Sequence, residues 1–127
     1  MAARARHILV GYDGSEAAQR ALDAAADFAG YGSVLSIASV ADGAKASGAS
    51  TRLLDEARER LLWRHVPARF VEAIGDPAEM LVETARELGA DLVVVGRHNH
   101  GALKRLVLGS VSASVVRQAP CDVLVVR

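Results

Sequence analysis

A chain of 127 residues carrying 15 lysines and arginines against 15 aspartates and glutamates has no formal net charge. That length suits one domain, over 1–127, with a real core, and the balance gives no broad basic face of the kind nucleic-acid binders use. Cys121 is the single cysteine, so no internal disulfide can form, and no long apolar segment marks a signal peptide or membrane span; a reducing, cytoplasmic location is expected.

His7 to Tyr12 reads as a first strand, with Ile8, Leu9 and Val10 apolar on both faces. Asp13-Gly14-Ser15 makes a turn, in which Ser15 is placed to cap the following helix and Glu16 falls in its first turn. Ala17, Ala21, Leu22, Ala25 and Phe28 mark the inward helix face, and Gly30 and Gly32 stop it. Asp13 has two readings: an ordinary turn residue, or a ligand contact at the carboxyl end of strand one, where open α/β sheets bind.

Val34 to Val40 is a second covered strand, and Asp42 to Ser50 a small, polar loop. Thr51 to His65 forms a helix with Leu53, Leu54, Ala57 and Leu61 inward; Glu56 and Arg60 stand at ion-pair spacing, and Trp63 is expected to pack at the rim. Ala68 to Ala73 is a more polar strand, as suits an edge. Asp76-Pro77-Ala78-Glu79 is a helix start with cap, first-turn proline and capping-box glutamate; Leu81, Ala85 and Leu88 follow on one face, and Gly89 closes the helix.

Leu92 to Val95 is an unbroken apolar run ended by Gly96. A basic loop follows, containing Arg97, His98, Asn99 and His100, and Leu103, Leu106 and Val107 give a short helical face. Gly109-Ser110 breaks it, and Val111, Val115 and Val116 resume an apolar stripe. Glycines that let backbone N–H groups approach a ligand, next to a helix start, favour an anion. The last strand is Val123 to Val126, and the alternation of strands and helices gives a mostly parallel α/β fold.

The spacing Gly96-x2-Asn99-x9-Gly109-Ser110, continued through Ser112 and Ala119-Pro120-Cys121, resembles the signature of the universal stress protein family. Its nucleotide-binding members carry Gly-x2-Gly-x9-Gly followed by Ser or Thr. Asn99 replaces the second glycine, and asparagine is among the few residues that tolerate left-handed backbone. The resemblance implies an open five-stranded sheet of order 3-2-1-4-5 with helices on both faces. It also implies a cofactor site built from Gly11, Asp13, Val40, Gly96, Asn99, Gly109, Ser110, Val111 and Ser112, taking ATP with Mg2+ alongside. In that reading Asp13 lies near ribose and base, and Val40 against adenine.

Other chemistries fit less well. No serine has a placed histidine–carboxylate partner, so no catalytic residue is assigned, and at most slow ATP hydrolysis is expected. A phosphotransfer receiver needs acidic residues that strands one and three lack. His98 and His100 supply two of the four ligands zinc usually takes and are read as solvated loop residues. Strand one is not followed by the dinucleotide Gly-x-Gly-x-x-Gly, and no Walker lysine precedes Ser110. Two functions remain: an adenine-nucleotide-binding stress regulator, and a ligand-free dimer acting through an unidentified regulatory protein partner, with Asn99 dividing them. In both, two copies are expected to pair through the apolar edge of the last strand.

Overall fold

The computed structural model describes residues 6–29, 32–41, 48–97 and 109–127. Among these residues strands and helices alternate: β1 His7–Gly11, α1 Glu16–Phe28, β2 Val34–Ala41, α2 Ala49–Trp63, β3 Arg69–Ile74, α3 Pro77–Leu88, β4 Leu92–Gly96, α4 Ser110–Gln118 and β5 Asp122–Val126. The strands form one parallel sheet in the order β3-β2-β1-β4-β5, as the resemblance implied. Among the described residues no helix is long and apolar enough to cross a membrane. The stretches containing His98, Asn99, His100, Leu103, Leu106 and Val107, and most of the expected loop from Asp42, lie outside the described residues.

The apolar runs become strands because both faces of the sheet are covered. Ile8, Val10, Leu35, Ile37, Leu92 and Val94 point to one face, where they meet Ala18, Leu22 and Ala25 of α1 and Leu54, Ala57 and Leu61 of α2. Leu9, Ala38, Val93 and Val95 point to the other, against Leu81 and Ala85 of α3 and Val115 of α4. Residues two apart share a face of a strand, so each strand feeds both cores at once. Outward steps from β1 to β3 put α1 and α2 on one side; the return to β4 and β5 puts α3 and α4 on the other, as right-handed crossovers require.

The helix ends follow local chemistry. Ser15 Oγ accepts from the Ala18 N–H at 3.1 Å, and Asp76 Oδ2 accepts from the Glu79 N–H at 3.0 Å. Gly89 ends α3 at φ 66°, a left-handed position that glycine occupies without steric cost.

Several side chains stand elsewhere than expected. Phe28 is 54% exposed: it falls in the last turn of α1, on the flank of a stripe centred on Ala18, Leu22 and Ala25. Trp63 is 82% exposed rather than packed at the rim; at 100° per residue it sits half a turn round α2 from the buried Leu54. Val116 is also largely exposed, leaving Val115 as the buried member of its stripe. Arg60 bonds not along its own helix to Glu56 but across to α1, donating Nε to Asp23 Oδ1 at 2.8 Å and an amine to Oδ2 at 2.7 Å. This two-pronged bond holds the Asp23 carboxyl below its ordinary range. Arg64 pairs with Asp27 one turn further on, so α1 and α2 are joined by two parallel ion pairs.

Candidate functional site

β1 is central, and the chain winds away from it in one direction and then the other. The boundary between β1 and β4 is therefore the switch point, and the helices that leave these two strands diverge there, opening a crevice at their carboxyl ends. A cavity of about 420 Å³ occupies this position.

Its walls come from both halves of the chain. Gly11 and Asp13 end β1; Val40 lies near the end of β2; Gly96 ends β4; and Gly109, Ser110, Val111 and Ser112 form the start of α4. The structure thus brings the sequence-derived residues to one cavity, except Asn99, which lies outside the described residues. Tyr12, Ser15, Ala18, Ala38, Pro77, Leu81 and Val95 also line it. Some of these follow from strand parity: Ala38 is the register partner of Gly11 and lies two residues before Val40 on the same face. Pro77 and Leu81 are one helical turn apart on α3. Sequence reasoning read them as a helix start and a core stripe, and only the order of the strands places α3 over the mouth of β1.

The lining divides by chemistry. Ala38, Val40, Leu81 and Val95 make an apolar slot on the α3 side, suited to a flat, weakly polar ring. Among the described residues, the N-termini of α1, α3 and α4 reach the cavity, at Ser15, Pro77 and Ser110. α1 is closed by Ser15 and α3 by Asp76, each side chain taking up a first-turn N–H. α4 starts at Gly109, which offers no side-chain cap. Its first helical bond is Ala113 N–H to the Gly109 carbonyl at 2.9 Å, so the N–H groups of Ser110, Val111 and Ser112 precede any intrahelical acceptor. Donors left over at a helix start, with the positive end of its dipole, make an anion seat.

The individual residues show how local structure builds this wall. Asp13 is exposed, and its Oδ1 accepts from the Ser15 N–H at 2.9 Å, so it shapes the turn and faces the cavity at the same time. Tyr12 is almost fully buried beneath α1 and α2, and burial, with Glu56 nearby, pushes its phenol above the ordinary range; it stays neutral. Ser110 is exposed at the mouth, whereas Ser112 is buried and donates its hydroxyl to the Gly96 carbonyl at 2.9 Å. Gly96 serves packing as well: a Cβ there would stand 2.5 Å from the Ala17 carbonyl carbon and 2.7 Å from the Ala18 nitrogen. Its missing side chain lets the start of α1 lie directly on the end of β4. Among the described residues no group of three or more histidine, cysteine or acidic side chains is arranged to hold a metal ion.

Residues 4–127 match the family model described as the universal stress protein family. The universal stress protein Rv1636 of Mycobacterium tuberculosis is 35% identical over 140 aligned residues, covering 94% of each chain. The universal stress protein YxiE of Bacillus subtilis is 38% identical over 76 residues, 60% of this chain and 51% of that protein. In three dimensions, a universal stress protein crystallised in complex with cAMP superposes with a TM-score of 0.83 at 32% identity, covering 98% of each chain. A sheet wound 3-2-1-4-5, a glycine-flanked crevice at its switch point and a family match over almost the whole chain lead to one conclusion: this protein belongs to the universal stress protein family.

Proposed function

We propose that the cavity binds an adenine nucleotide, ATP in the first instance, and that occupancy is what this chain reports to a protein partner in a stress response. One observation carries the reading: among the described helices that line the cavity, α4 alone begins without a side-chain cap, and its spare N–H groups stand across from an apolar slot. A nucleotide has that polarity, an anionic end and a flat ring. The phosphates go to the Ser110–Ser112 amides, with the exposed Ser110 hydroxyl adding a donor. The ring goes between Val40 and Leu81, and Asp13 takes donors from ribose or base. The related protein complexed with cAMP supports the nucleotide class. Among the described lining residues Asp13 is the one carboxylate, and Mg2+ would come with the triphosphate and be held chiefly by its oxygens and water. Titration calorimetry with ATP and Mg2+, and with AMP, tests this. Saturable heat with one site per chain is expected, and none at millimolar nucleotide would sink the proposal and leave the ligand-free reading.

The edge of β5 supports a second proposal, that two copies pair there. β5 is outermost in the sheet, and Val123, Leu124, Val125 and Val126 are each only half-buried. Antiparallel pairing of two such edges would satisfy their outer backbone groups and cover the valines. Light scattering at micromolar concentration should give twice the chain mass; the mass of one chain would reject this interface.

A further inference from the structure

Ser112 belongs to the motif, yet its side chain is turned away from the ligand role that the motif suggests. It is 2% exposed, and its Oγ donates to the Gly96 carbonyl at 2.9 Å. A serine hydroxyl has a single proton, and once that proton is directed at Gly96 none remains for a phosphate oxygen. The other side of Gly96 is held too, since its Cα lies against the Ala17–Ala18 backbone. One residue at the end of β4 is thus tied to α4 through its carbonyl and pressed against α1 through its Cα.

α4 needs such a tie. It has 9 residues, below the length at which a helix holds in water without tertiary support, and its buried side chains are Ser112 and Val115. Val115 anchors the second turn. In the first turn, which carries the spare amides, Ser112 is the anchor. We infer that Ser112 is a positioning residue: by bonding to Gly96 it fixes the first turn of α4 over the cavity, so that the Ser110, Val111 and Ser112 N–H groups converge on the anion, and it makes no ligand contact through its hydroxyl. The ligand half of this inference rests on the nucleotide reading above; the anchoring half does not.

Ser112→Ala and Ser112→Thr test it with two measurements. The first is hydrogen–deuterium exchange of the Ala113 amide in ligand-free protein, because that amide closes the first helical bond. The second is AMP affinity by calorimetry. Loss of one hydrogen bond predicts roughly tenfold faster exchange and roughly tenfold weaker AMP binding in Ser112→Ala, with both restored in Ser112→Thr. Weaker AMP binding with unchanged ligand-free exchange would overturn the inference, since the hydroxyl would then act on the phosphate directly. Unchanged exchange and unchanged affinity would overturn it as well. If the unmodified chain binds no AMP, the nucleotide reading falls, and the exchange rate still decides whether Ser112 anchors the helix.

Discussion

Gly96→Ala should be the most damaging single methyl that can be added near the cavity. The new Cβ would stand 2.5 Å from the Ala17 carbonyl carbon, 2.6 Å from its oxygen and 2.7 Å from the Ala18 nitrogen. These are backbone atoms in the first turn of α1, fixed by the Ser15 cap and by the alanine stripe that packs on the sheet, so no flexible side chain can swing aside. α1 must lift from β4, or β4 must slide against β1. Overpacking costs about 1–3 kcal/mol where side chains yield, and a backbone collision belongs at or above the top of that range. A loss of about 3 kcal/mol corresponds to a melting temperature lower by roughly 10 °C in a domain of this size. The cavity should suffer with the fold, because α1 and α4, two of the helices that line it, both meet Gly96. A thermal melt checks the expectation, and a shift under about 2 °C would show that the contact relaxes at almost no cost.

Gly109→Asp should do the opposite, sparing the fold and removing the ligand. Gly109 has φ −61° and ψ 161°, an extended backbone that any residue adopts, and it occupies the N-cap position of α4. Aspartate is among the best N-cap residues, so its carboxylate can accept from the same first-turn amides assigned to phosphate. The substitution would convert α4 into a helix closed like α3, where Asp76 already does this. A nucleotide would then meet a negative charge in place of free donors. Charge-assisted bonds are worth about 1.5–3 kcal/mol each, so losing two of them weakens binding by at least about a hundredfold. Calorimetry beside a thermal melt separates the outcomes: affinity gone with an unchanged or raised melting temperature is expected. Affinity within about threefold of the unmodified protein would place the phosphates elsewhere.

Much of this molecule was legible in its residues because its signals are local. Apolar runs bounded by glycine mark the central strands, and Ser15 and Asp76 cap their own helices within a few positions. What escaped depends on neighbours far along the chain. Nothing near Arg60 says that Asp23 on another helix will outcompete Glu56 on its own. Trp63 looks like a packing residue until the phase of α2 turns it outward. Gly96 reads as a ligand glycine from the motif, while its closest demand is room for α1, visible only when β4 and α1 are in contact. The motif places Ser112 in the ligand site, but a sequence does not show that its hydroxyl is already spent on Gly96.

The position of the cavity at the switch point also bears on how the chain is made. His7 and Asp91, 84 positions apart, are bonded to each other at the base of β1 and β4, so the central strand acquires its second neighbour only after most of the polypeptide has been synthesised. Until then β1 has one completed side, the crevice has one wall, and Leu9 and Val10 lack the Val93 and Val94 that pair beside them. Pairings of such long sequence separation form late and slowly. A small molecule that spans both walls therefore binds the finished topology and no earlier intermediate, and its presence in the cell would draw newly made chains toward completion by mass action.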